Sequence, residues 1–63
     1  MNVNLKVEII KKFGTQADFA MAVRVNESLV SRVVRRRRSI PPETQEQWAD
    51  ALGCDVADIF GEA

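Results

Sequence analysis

The sequence predicts an all-α fold, with four to five short helices around one core. Three observations carry this. Apolar residues recur at helical spacing in several separate windows. Strand signals are weak throughout. Helix-starting and helix-stopping residues punctuate the chain at short intervals. Sixty-three residues make one domain, covering the whole of 1–63. A chain this short buries only about 60% of the surface its unfolded form exposes, so its stability is expected to be modest.

The first helix is predicted over about residues 3–12. Leu5, Ile9 and Lys12–Phe13 follow a helical period, with Val3, Ile10, Lys6, Glu8 and Lys11 distributed around them, and Gly14 is the stop. In "TQADFAMAV" Thr15 is an N-cap and Asp18 stands where a capping box needs an acid. This second helix turns Phe19, Ala20 and Val23 inward and ends near Ala22. In "VNESLVSRVV" Asn26 caps a third helix, Glu27 suits its positive end, and Val25 can staple onto Val30. Leu29, Val30 and Val33 point inward. That leaves Glu27, Ser28, Ser31, Arg32 and Arg35 on the outer face.

A fourth helix starts at "PPE". Pro42 fits the first turn and Glu43 sits near the N-terminus. Trp48, Ala51 and Leu52 are spaced for burial, and Gly53 is the stop. Trp48 reads as core, with a dimer contact as the alternative. Asp55 and Asp58 repeat the capping pattern before "VADIF", a last short helical turn that Ile59 and Phe60 would dock on the core.

Composition removes several function classes. The one cysteine, Cys54, rules out an intramolecular disulfide. With no histidine, neither a Cys–His nor a Ser–His pair can be built, and a metal centre lacks its usual ligands. No phosphate-binding loop is present. The expectation is therefore a non-enzyme with no metal, cofactor or small-molecule ligand. No stretch is long enough to span a membrane and no signal-peptide pattern is present, which makes the cytoplasm the default location.

The formal net charge is zero, but the charges are segregated. Arg24, Arg32, Arg35, Arg36, Arg37 and Arg38 are six of the nine bases, and Glu27 is the only acid between Arg24 and Arg38. From Ser39 onward there are six acids (Glu43, Glu46, Asp50, Asp55, Asp58, Glu62) and no base. A chain divided in this way has one positive surface, which points to a polyanionic partner. The run "RRRRS" alone reads as an address tag, a solvated helix face or one part of a nucleic-acid site.

Only three or four residues around Val23–Val25 join helices 2 and 3, the arrangement of a helix-turn-helix. The segment "TQADFAMAVRVNESLVSRVVRRRRSIP" resembles the helix-turn-helix of the lambda-repressor/Cro (XRE-type) family of phage and bacterial regulators. The matching pieces are Thr15-Gln16, Phe19-Ala20, Val25 with a polar residue after it, and Val30-Ser31-Arg32, without a gap from Gln16 to Arg32. The fourth helix and "ALGCDVADIF" resemble the family's tail. The likeness implies a sequence-specific regulator of transcription that binds double-stranded DNA, a repressor acting by operator occupancy. It also implies a homodimer on a palindromic site with half-sites about 34 Å apart.

On that reading, helix 3 enters the major groove. Arg32 can bind guanine bidentately, Glu27 can accept from a cytosine amine, and Ser28 and Ser31 can contact either partner of a base pair. The resemblance gives Gln16 and Asn26 phosphate or bracing roles. Arg24, Arg35, Arg36, Arg37 and Arg38 are the remaining phosphate candidates. Each has a plainer reading: Glu27 as a helix-dipole partner, the serines and arginines as ordinary surface. Any dimer contact is expected from the exposed parts of helix 4, helix 5 and the tail, or the dimer forms only on DNA.

The resemblance implies glycine where this chain has Arg24 and Arg36, at positions of left-handed backbone. Arginine there costs about 1 kcal/mol each. The competing class is a protein-interaction adaptor, or the DNA-binding antitoxin partner of a second protein, using the acidic C-terminal half.

Overall fold

A computed structural model describes residues 1–61. Among these residues there are five helices and no strand: α1 (Val3–Phe13), α2 (Gln16–Ala22), α3 (Glu27–Val34), α4 (Pro42–Leu52) and α5 (Val56–Ile59). The expected acid Glu62 lies outside the described residues.

Each helix begins where a side chain can satisfy its free N–H groups or where none is needed. Thr15 Oγ1 accepts from the Asp18 N–H at 3.1 Å, and Asn26 Oδ1 accepts from the Leu29 N–H at 3.0 Å. Pro42 opens α4, where a missing N–H costs nothing. At α5 the Asp58 carboxylate reaches back to the Asp55 N–H at 3.4 Å.

The cap of α1 has wider reach. Asn2 is 6% exposed, and its Oδ1 accepts from the Leu5 N–H at 3.1 Å. Its own backbone N–H donates to the Val34 carbonyl at 2.7 Å, and its side-chain amide donates to the Ile59 carbonyl. One short polar residue thereby ties the start of α1 to the ends of α3 and α5. Lys12 closes another joint, donating from Nζ to the Leu52 carbonyl at the end of α4, 2.8 Å away.

Leu5 and Ile9 of α1, Phe19 and Ala20 of α2, and Val30, Val33 and Val34 of α3 are buried, as is Ile40 before α4. An aromatic chain crosses the interior. Phe13 meets Phe19 edge-on at 5.3 Å, Phe19 meets Trp48 edge-on at 5.2 Å, and Trp48 meets Phe60 at 6.4 Å. Trp48 is completely enclosed, so it is core and presents no face to a dimer partner. Its indole N–H has no acceptor among the described residues, a local cost that the ring's buried area offsets.

One expectation about inward faces is corrected. Ala51 is exposed, and Ala49 takes its place in the core beside Trp48 and Leu52. Leu29 is partly buried and packs against the core, which Val34 joins with Val30 and Val33. The correction rotates the inward face of α4 by a fraction of a turn, which apolar spacing alone does not fix.

Three helix ends share one geometry. After α4, the Gly53 N–H donates to the Asp50 carbonyl at 3.1 Å and the Cys54 N–H to the Ala49 carbonyl at 3.0 Å, with Gly53 at φ 68°. After α2, Arg24 and Val25 donate to Met21 and Ala20 at 3.3 and 3.0 Å. After α3, Arg36 and Arg37 donate to Val33 and Arg32 at 3.0 and 2.9 Å. These are Schellman ends, which place one residue in left-handed conformation. At the last two that residue is an arginine, Arg24 at φ 62° and Arg36 at φ 61°.

Candidate functional site

Eight residues make α3, and its two faces are sharply different. Val30, Val33 and Val34 are buried, while Glu27, Ser28 and Arg32 are exposed and Ser31 is half-buried. At about 100° per residue, positions 27, 28, 31, 32 and 35 fall on one side of the helix and 29, 30, 33 and 34 on the other. The turn after α2 brings Gln16, the first residue of that helix, to the same side. An open groove is lined by Gln16, Glu27, Ser28, Ser31, Arg32 and Arg35. All four residues expected to read bases line it, with two of the seven expected to meet phosphates.

The other five stand elsewhere. Asn26 spends its carbonyl oxygen on capping α3, which leaves its amide NH₂ as the donor for any further contact. Arg24 projects from the turn between α2 and α3. Arg36, Arg37 and Arg38 are not helical, since α3 ends at Val34. They line a second recess, shared with Ser39, Gln45 and Phe60. The arginine run is thus divided: Arg35 belongs to the groove and the next three to the recess. Ser39 and Gln45 had no signal in the sequence, and Phe60 was expected only to dock the last helical turn on the core. Gln45 comes to the recess because its side-chain amide donates to the Ile40 carbonyl at 3.2 Å, folding the start of α4 back over the loop.

The electrostatics are one-sided. Arg24, Arg32, Arg35, Arg36, Arg37 and Arg38 are all exposed. The two ion pairs found among the described residues both use Glu8, with Lys11 at 3.7 Å and Lys12 at 3.9 Å. Arg24, Arg32, Arg35, Arg37 and Arg38 form no ion pair with any described residue. Part of the positive charge has a structural use, because Arg32 lies in the last turn of α3, where the helix dipole favours a cation. Glu27 is likewise at the favourable end of the same helix.

No family model, curated protein or solved structure matches this chain. The site is therefore read from its own chemistry. The groove combines hydroxyl, amide, carboxylate and guanidinium groups, a set suited to hydrogen-bond recognition. No group of three or more potential metal ligands occurs among the described residues. No helix is long and apolar enough to cross a membrane.

Cys54 stands apart from the groove. Partial burial pushes its thiol above the usual range, and the Glu8 carboxylate, with Oε1 3.4 Å from Sγ, pushes the same way.

Proposed function

We propose that the chain is a sequence-specific double-stranded DNA-binding regulator of transcription. The observation that carries the reading is the convergence of Gln16, Glu27, Ser28, Ser31, Arg32 and Arg35 on one open groove. Arg24, Arg32 and Arg35 form no ion pair with any described residue. An α-helix fits the major groove, and polar side chains on its exposed face then meet base edges.

In this reading α3 is the recognition helix. Arg32 reads a guanine, Glu27 a cytosine amine, and Ser28 and Ser31 the neighbouring positions. Gln16, Arg24, Asn26 and Arg35 hold the flanking phosphates. The loop of Arg36, Arg37 and Arg38 grips the backbone beyond the C-terminal end of α3. The lambda-repressor/Cro likeness of residues 15–41 fits this division. It adds the expectation of a repressor that occupies a palindromic operator as a homodimer.

Selection of bound sequences from a random DNA pool tests the reading. A palindromic consensus with half-sites about one helical turn apart is the expected result. A salt titration separates it from an adaptor that only binds proteins. Log affinity for DNA should fall linearly with log salt, with a slope of about −0.9 per phosphate contacted. No enriched sequence, and no DNA complex even at low salt, would overturn the proposal.

A further inference from the structure

The recess beside the arginine loop is more than a charged surface. Its cavity of about 390 Å³ falls in the range of small-ligand sites, about 300–1,000 Å³. Val33, Ile40 and Phe60 give it an apolar wall. Val33 and Ile40 are almost enclosed, while Phe60 is half-buried and tilted against Trp48. Asn2 also lines it, but its side-chain oxygen and amide are engaged by Leu5 and Ile59. Composition gave no sign of a small-molecule ligand, because these groups meet only in the folded chain.

The uncommitted polar groups say what fits. Arg37 and Arg38 make no ion pair, and Ser39 makes no hydrogen bond, with any described residue. Arg36 has contacts of its own, so the uncommitted charge comes from Arg37 and Arg38. The Gln45 amide nitrogen is held by the Ile40 carbonyl, which leaves its oxygen as an acceptor. Among the described residues that line the recess there is no carboxylate. In the α3 groove, by contrast, Glu27 would repel a small anion. Two guanidiniums and a hydroxyl on three consecutive residues match an oxyanion with several acceptor oxygens. A phosphomonoester is one, with a charge of about −1.5 to −2. The phosphates of duplex DNA carry one charge each and form a continuous rail. Such a rail meets exposed arginines and makes no use of Val33, Ile40 or Phe60. The wall calls for a flat group joined to the phosphate, since flat rings stack on aromatic side chains and on guanidinium planes. The Gln45 oxygen can accept from an amine on that ring.

We propose that the recess binds a small phosphomonoester bearing a flat ring, of the mononucleotide class. The phosphate lies on Arg37, Arg38 and Ser39. The ring lies on Phe60, with its amine towards Gln45. Binding does not require DNA. Where DNA is also present, the ligand withdraws Arg37 and Arg38 from its backbone and lowers its affinity; that consequence alone rests on the DNA reading.

The test uses the full chain, labelled for NMR and free of DNA, titrated with adenosine monophosphate. It should bind with Kd of about 0.1–1 mM and shift the signals of Arg37, Arg38, Ser39 and Phe60. Adenosine and inorganic phosphate each carry half of the ligand and should bind at least about tenfold more weakly. A dinucleoside monophosphate, whose phosphate is a diester, should also be about tenfold weaker. Arg38→Ala should weaken adenosine monophosphate about tenfold, and Ser39→Glu should abolish its binding. Both side chains are exposed, so either variant serves if the other fails to fold. Lys6→Ala removes one exposed charge away from the recess and should change nothing. The proposal is overturned if adenosine monophosphate binds no better than about 10 mM, or if the shifts fall on Ser28, Ser31 and Arg32 instead. Inorganic phosphate binding as tightly would overturn it in favour of charge alone, and the diester binding as tightly in favour of a backbone contact. Equal weakening by Lys6→Ala and Arg38→Ala would overturn it in favour of a diffuse field.

Discussion

Arg24 offers the sharpest separation of stability from binding. It closes α2 at φ 62°, in the position that Gly53 fills at the end of α4. Left-handed backbone costs an L-residue about 1–2 kcal/mol, and glycine's extra freedom in the unfolded chain returns about 0.5–1 kcal/mol of that. Arg24→Gly should therefore stabilise the fold by about 1 kcal/mol. Nothing is lost against this, because the side chain is exposed and forms no ion pair with any described residue. An unfolding entropy of about 2.1 cal/mol/K per residue makes 1 kcal/mol worth about 8 °C in a domain of this size. The melting temperature should rise by about 4–8 °C in a thermal denaturation followed by circular dichroism. DNA affinity should fall, with the salt slope smaller by about 0.9, the loss of one phosphate contact. Arg24→Ala separates the two effects, since it removes the charge but keeps the strained backbone. It should lose the same DNA affinity and gain no thermal stability. A lower melting temperature for Arg24→Gly would refute the strain argument. Unchanged affinity and slope in both variants would refute the phosphate contact.

Four further outcomes are expected. Arg32→Ala should relax preference at one base-pair position by about 1–3 kcal/mol, and equal loss on selected and random DNA would remove Arg32 from base recognition. Arg37→Ala should weaken all sequences alike and lower the salt slope by about 1; a loss confined to one sequence would contradict its place in the arginine loop. Asn2→Ala should destabilise by about 2–3 kcal/mol in urea, from a lost cap of about 1 kcal/mol and a buried carbonyl left unpaired. A loss below about 1 kcal/mol would show that the side-chain joint to Ile59 matters little. For Cys54 the folded state holds the thiol proton more tightly than the unfolded chain, whose thiol ionises near 9.0. The corresponding stability is complete below that value and is lost as pH rises from it through the higher folded value, so Cys54→Ala should flatten the fall in urea midpoint above about pH 9.

The helices were legible because their signals are local. Thr15, Asn26 and Pro42 act within a few residues of themselves, and Gly14 and Gly53 do the same at the other ends, so neighbouring sequence was enough to place them. The outer face of α3 was legible for the same reason: period alone puts Glu27, Ser28, Ser31, Arg32 and Arg35 on one side. Long-range geometry decided the rest. Apolar spacing pointed to Ala51 beside Trp48 and Leu52, and only the packing of α4 in the folded chain encloses Ala49 instead. Asn2 looked like any polar residue near a helix start, until the chain brought the Val34 and Ile59 carbonyls to it. The four consecutive arginines read as one feature. The Schellman end of α3 cut that feature in two, because a helix that stops at Val34 can aim only Arg35 along its own face.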